Sequence, residues 1–448
     1  MLDTYLKAAS LITRSFKASI VLWAIATLGR TVAAQPSASQ QNRLKVDSFE
    51  LVWSTLRDHY WDKTMAGLNW QSVHNNYIKE LKAAGTADAA RSVMIRMPEL
   101  LPSSHLAIIP GELYSAGRNA GNSREPAVDA GDQEGDDSGS TGLDTIVIDG
   151  QIVVEAVEEG SSGARAGVRP GWVIDSVDGA ATQRLSAIGS VSQSRARGNL
   201  AAEIVQSWLS GPVGSHAYIS FMNGAGKAVA CNIQRQASPG EVVRFGNLPP
   251  ERVRIEHRRL ESGVGYIRLN LFLDPPKVMP EVERSVIEFA NAPGIVLDIR
   301  NNPGGLGIMA MGIAGWFVPE DGQRLGTMTG RDQTMNFIVN PRLHAYQGRV
   351  AILVNGDSAS TSEILAQGLR DLGRARIFGT RPAGAALPSD IIRLPNGDCF
   401  QYPEANYAST KGRVLEGNGV EPDVVIAPTI QALLSGRDLV LDAASEVV

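Results

Sequence analysis

At 448 residues the chain has room for two to four domains, at the ~100–200 residues usual for one. With 43% hydrophobic and 20% charged residues, its composition is that of an ordinary globular protein. The formal net charge of −5, with no basic stripe, argues against a nucleic-acid partner, and so weak an acidity names no other.

In chain order, the first segment reads as a leader. Lys7, Arg14 and Lys17 precede the apolar run ASIVLWAIATLG, and small residues follow in TVAAQ. Residues 1–34 are therefore expected to be a signal peptide cut after Ala34, giving an exported, periplasmic or secreted protein. The run is interrupted by Arg30 and falls short of the ~20 residues that a membrane-spanning helix takes. No stable span is expected after cleavage; the alternative is an uncleaved anchor.

Residues 41–113 read as a helical domain. Phe49, Val52, Trp53 and Leu56 recur at helical spacing, as do Val73, Tyr77, Ile78 and Leu81. A third helix is expected over ADAARSVMIRMPELL, leading into PSSHLAIIP. Residues 114–141, rich in Gly, Ser, Ala and Asp, read as a flexible acidic linker.

Between 142 and 237 the pattern changes to short strands, with a hairpin expected around Asn223–Gly226. The run GSSGARAGVRPGWVIDSVDG resembles a PDZ domain. That resemblance implies binding of extended C-terminal peptides by strand addition, although GLDT is the most this chain offers as a carboxylate-binding loop. From 243 to 430 strands and helices alternate, which predicts an α/β core with functional loops at strand ends, and 431–448 reads as a C-terminal tail. Cys231 and Cys399 fall in different domains and are expected to be unpaired rather than bridged.

Two turns in the core carry chemistry. In VNGDSASTSEILAQGL, Ser360 and Glu363 form a capping box, with Ser at the N-cap and Glu at N3. A hydroxyl between a buried strand and a helix N-terminus also sits where N–H groups favour a developing negative charge, which suits a nucleophile. In LDIRNNPGG, a glycine pair after a buried strand is either a tight turn or a close backbone approach to a ligand.

GYIRLNLF, IVLDIRNNPGG, RVAILVNGDSASTSEILAQGLRDLGRARIFGT and GNGVEPDVVI occur in that order, downstream of the PDZ-like stretch. Together they resemble the C-terminal processing (tail-specific) serine peptidases and their tricorn-core relatives, over roughly residues 43–430. The resemblance implies a multidomain α/β protein: a core related to the crotonase and Clp peptidase folds, an inserted PDZ-like β domain and an N-terminal helical domain. It implies Ser360 as nucleophile, with an oxyanion hole from the N–H groups of Thr361 and Gly304.

The best-known branch of that family uses a lysine base 25 residues beyond the serine, and this chain has Ala385 there. Arg381 is too basic to replace it. The tricorn-like branch relies on Ser–His–Glu with an extra serine before the histidine, and PSSHLAIIP and RVLEGNGVEPD supply Ser104, His105 and Glu416 at the matching places. His105 would take the proton from Ser360, Glu416 would orient the system, and Ser104 would support the imidazole or the oxyanion. His59, His74, His216, His257 and His344 have no such setting.

Neither metal-ligand spacing nor a phosphate-loop pattern occurs, and acyl transfer to water by these groups needs no cofactor. The expected function is thus a serine endopeptidase acting on exported or unfolded polypeptides through an acyl-enzyme. The competing readings are a non-catalytic ligand- or peptide-binding relative of the same fold and a scaffold acting through its PDZ-like module. Because 255 residues separate His105 from Ser360, any joint site has to form by domain docking.

Overall fold

The computed structural model describes residues 38–111, 138–183, 185 and 200–448. The expected signal peptide and most of the expected acidic linker lie outside the described residues.

Three helices open the described chain: α1 (Ala38–His59), α2 (Trp70–Ala83) and α3 (Ala87–Arg96). Asn69 and Thr86 cap α2 and α3 by accepting the N–H groups of Ser72 and Ala89. The third helix ends short of Leu101, because Pro98 starts a separate 3-10 turn, Pro98–Leu100. Phe49, Val52, Leu56 and Leu81 bury their faces in a cluster that also takes in Leu394, Phe400 and Tyr402 from the far end of the chain. Strand β1 (Ala107–Ile109) leaves this domain and pairs antiparallel with Cys399–Gln401, register Ala107 to Gln401.

The next unit is an antiparallel sheet of β2 (Leu143–Ile148), β3 (Gln151–Val157), β4 (Val173–Val177), β5 (His216–Met222) and β6 (Ala228–Gln234), in that spatial order. Its alternating apolar residues, among them Val154, Ile174, Ile219 and Phe221, pack under helix α5 (Leu200–Leu209) through Ile204 and Val205. The short helix α4 (Ser162–Arg165) is capped by Ser161. The expected hairpin closes on Asn223, whose Oδ1 accepts the Ala225 and Lys227 N–H groups.

The core is built on a six-stranded sheet ordered β7–β8–β9–β10–β11–β12: Ile255–Arg259, Gly265–Leu269, Gly294–Asp298, Arg349–Val354, Arg376–Gly379 and Val424–Val425. Only the β7–β8 pair is antiparallel. β9 is buried along its whole length, as expected of a parallel strand covered on both faces. On one face Leu297, Ile352 and Val354 meet Val282 of α6 (Pro275–Glu288), Met309 of α7 (Gly307–Ala314) and Leu365 of α8 (Thr361–Asp371).

On the other face Val296, Ala351 and Leu353 meet Val440 and Ala444 of α10 (Leu439–Val447). The segment set apart in the sequence as a tail is thus two helices, α9 (Ile430–Leu434) and α10, the second of which completes the core. Cys231 and Cys399 are both free thiols, the first half-buried and the second buried.

This topology places the site. β9 and β10 are adjacent and parallel, with Asp298 opposite Leu353, so the DIRNNPGG turn and the serine turn leave the same edge of the sheet side by side.

Candidate active site

Ser360 lies between buried Ala359 and buried Thr361, yet keeps partial solvent access itself. Its backbone is at φ 54, ψ −117, outside the regions that L-residues adopt without strain. The capping box expected from the sequence does not form. Ser360 occupies the N-cap position of α8 but makes no side-chain cap bond, and the Glu363 N–H goes to the Ser360 carbonyl at 2.9 Å. With φ positive, the side chain is turned away from the first helical turn, so the hydroxyl is not spent on helix N–H groups.

Glu363 has another task. It is fully buried on a helix that is itself buried on all sides from Thr361 to Leu369. Its carboxylate accepts the N–H groups of Gly384 (3.1 Å) and Ala385 (2.9 Å). The Ala385 carbonyl then accepts the Ser360 N–H at 2.7 Å. Where the lysine-using branch would carry its base there is a fully buried alanine, bonded to the serine turn through both its amide and its carbonyl.

Asn302 joins the two turns. Fully buried, it donates from Nδ2 to the Leu269 carbonyl (2.8 Å), and its own carbonyl accepts from the Ala359 N–H (3.1 Å) and Ser362 Oγ (2.8 Å). Thr361 Oγ1 donates to the Gly305 carbonyl at 2.7 Å. A Cβ on Gly304 would lie 2.7 Å from Ser360 Cβ and 3.0 Å from the Thr361 nitrogen, and φ there is 107°, so only glycine fits so close to the serine. The Gly304 N–H, expected to serve an oxyanion, already donates to Asn302 Oδ1 at 2.9 Å.

The second half of the site comes from the helical domain. Ser104 donates its N–H to Glu416 Oε1 (2.6 Å) and its hydroxyl to Glu416 Oε2 (2.9 Å), and its Oγ lies 2.7 Å from His105 Nδ1. If Glu416 is ionised it only accepts, so the hydroxyl proton points at Glu416 and His105 donates from Nδ1 to Ser104 Oγ, the tautomer that leaves Nε2 as the basic nitrogen. His105 is buried and sits at φ 60, just ahead of β1. Tyr60, also buried, shares a 2.6 Å hydrogen bond with Ser103 Oγ, and burial pushes its phenol above the usual value.

The two halves meet along Gly384–Ala386. Ala385 holds the Ser360 N–H, while the next residue, Ala386, gives its N–H to Glu416 Oε2 at 3.3 Å and the Gly384 carbonyl accepts the Gly417 N–H at 2.8 Å. Docking of the helical domain is reinforced by Arg91, whose Nε and Nη2 bond the buried Asp398 carboxylate at 2.9 and 2.7 Å, while the Gly111 N–H adds a third bond.

Sequence reasoning overlooked Glu363, Asn302 and Tyr60 as parts of this assembly. The burial of Glu363 is set by the packing of the whole helix and is not displayed by the mixed polar and apolar run TSEILAQGLRD.

Residues 263–426 match the sequence profile of Peptidase family S41, and residues 46–97 match that of the tricorn protease C1 domain. The chain carries a peptidase family S41 domain over residues 263–426. It is a serine-type peptidase, and its relatives are C-terminal processing enzymes. It is 27% identical over 325 residues to the carboxy-terminal-processing protease of Bartonella bacilliformis, covering 71% of this chain and 68% of the relative. To the carboxyl-terminal-processing protease of Synechocystis it is 26% identical over 421 residues, 92% and 88% of the two chains. The solved photosystem II D1 C-terminal processing protease superposes with a TM-score of 0.55 at 21% identity over 90% of this chain and 97% of that one, and so shares the fold. Among the described residues, no helix is long and apolar enough to cross a membrane.

Proposed function

We propose that this family S41 peptidase hydrolyses polypeptides through an acyl-enzyme on Ser360, with His105 as base and Glu416 acting through Ser104. One observation supports the reading: adjacent residues Ala385 and Ala386 bond Ser360 on one side and Glu416 on the other, so the segments that carry them attach to one short stretch of backbone. His105 Nε2 takes the hydroxyl proton as Ser360 Oγ attacks the scissile carbonyl, and the imidazolium is stabilised through Ser104 by the charge on Glu416. The same proton then goes to the leaving amine, and a water repeats the attack to release the acyl group.

Thr361 N–H at the start of α8 serves the tetrahedral oxyanion. On the opposite wall Gly304 lets the substrate approach, its own N–H being shared with Asn302.

The β domain would present the polypeptide, adding its strand to β2, which lies at the edge of the sheet. At present α5 bonds that strand through Gln206 Nε2 to the Leu143 carbonyl (3.0 Å) and through the Ala202 carbonyl to Thr145 Oγ1 (3.1 Å), so peptide addition would have to loosen α5. The basic and apolar pattern of residues 1–34 supports export, and exported or unfolded chains are the substrates this assigns.

A fluorophosphonate probe on the 35–448 protein tests the site. Labelling of the parent and its loss in both Ser360→Ala and His105→Ala is expected; labelling that survives His105→Ala would remove His105 as the base.

A further inference from the structure

We infer that Glu155 is a positioning residue for the serine turn: reaching from the β domain, it braces Asn301 and so couples the seating of that domain to the loop that ends in Ser360. The inference rests on the reading of Ser360 as nucleophile. Glu155 lies on β3, and its Oε2 accepts a long, 3.4 Å hydrogen bond from Asn301 Nδ2. Asn301 follows Arg300 at the end of β9 and holds a left-handed backbone, φ 58. Its N–H donates to Asn355 Oδ1 at 2.9 Å, and Asn355 Nδ2 donates back to Asn301 Oδ1. The N–H, Oδ1 and Nδ2 of Asn301 thus take part in a single clip between β9, the β domain and the serine loop.

Asn355 is the first residue of that loop. Its N–H donates to Ser358 Oγ (3.0 Å), Ser358 Oγ donates to the Ile299 carbonyl (2.8 Å), and Asn355 Oδ1 also accepts the Asp357 N–H (3.2 Å). A shift of Asn301 therefore moves the loop at its root, five residues before Ser360, whose N–H is held by Ala385. The β domain has a second contact, Glu158 Oε1 to Arg254 Nη1 at 2.6 Å, which touches nothing in the serine loop. Glu158 is thus a built-in control for docking alone.

The setting of Glu155 gives it a further signature. Burial between β3 and the core opposes its charge; Arg300 attracts it, while Asp144 of β2 and Asp357 of the serine loop repel it, and the carboxyl is pushed up to about 7. A carboxyl raised in the folded state favours that state fully only below its ordinary value near 4.5, and the advantage is lost as pH rises toward 7. Glutamine keeps the acceptor for Asn301 and cannot ionise.

The test compares Glu155→Ala, Glu155→Gln and Glu158→Gln in the 35–448 protein. Amide exchange of the 355–363 segment should quicken about tenfold or more in Glu155→Ala and stay near the parent rate in the other two. With an unstructured peptide as substrate, Glu155→Ala should lower kcat about tenfold at unchanged KM, and Glu155→Gln should restore it. The melting temperature of Glu155→Gln should gain on the parent between pH 5 and 7 and level off above. Parent-like exchange in Glu155→Ala, or equal loosening in Glu158→Gln, overturns the inference. A parent without peptidase activity would instead sink the reading of Ser360, and the exchange measurement would still decide this one.

Discussion

The two halves of the site are made in different ways. The serine half is local to the core: β9 and β10 run side by side, their turns leave one sheet edge together, and Asn302, Thr361 and Glu363 lock them with bonds among residues 269–385. The histidine half is long-range. Ser104 and His105 arrive on the arm that leads into β1 and hang on its pairing with Cys399–Gln401, the Arg91–Asp398 pair and the shared apolar cluster. One half is set by how the core folds, the other by whether two domains are docked. Both halves keep their proposed reactive residue at positive φ, Ser360 at 54° and His105 at 60°, so each is held by its surroundings rather than by its own preference.

Substitutions in each half should separate these two dependencies. Ser360→Ala should abolish hydrolysis, by at least ~10³-fold in kcat, while leaving the melting temperature and the domain contacts intact. Arg91→Ala leaves Asp398 buried without its cation, a loss of about 3–5 kcal/mol in the docked state. It should cost roughly 100-fold in activity while amide protection of residues 355–363 persists; full activity in this variant would break the comparison, because docking would then not be needed.

Glu363→Gln can accept from only one of Gly384 and Ala385 with its carbonyl oxygen. It should destabilise by about 1–3 kcal/mol and lower kcat about tenfold. Ser104→Ala breaks the link between His105 and Glu416 and should lower kcat by a similar or smaller factor at unchanged KM, read against Glu416→Gln in a double-mutant cycle. The smallest effect is expected from adding Lys at 385 to His105→Ala: no activity should return, because the alanine site is fully buried and its backbone already committed. Hydrolysis by that double variant, measured on an unstructured peptide, would show that the serine half accepts a base from within the core.

Much of the fold was legible because parallel strands announce themselves. IVLDI and RVAILV are near-continuous apolar runs, and α6, which precedes the first of them, carries a clear apolar stripe. Ser104, His105 and Glu416 could be singled out from flanking sequence, but nothing in periodicity says that positions 104 and 416 share a carboxylate. What failed did so for a physical reason. Ser360 and Glu363 have capping-box spacing, and that spacing is decided by a single backbone angle the sequence does not display. Asp298 and Arg300 were not singled out from the sequence at all. In fact Asp298 is fully buried; burial opposes its charge, yet Arg300 at 2.6 Å holds its carboxyl below the usual value, and Arg300 in turn reaches Asp438 of the C-terminal helices at 2.7 Å.

Ala385 also sets a boundary on the chemistry this core can hold. Its methyl group is fully buried, and the backbone from 385 to 386 is committed to Glu363 on one side and Glu416 on the other. On the proposed reading a base has therefore to be brought in from outside the core, so that filling one small volume makes the seating of a second domain a condition for a whole site.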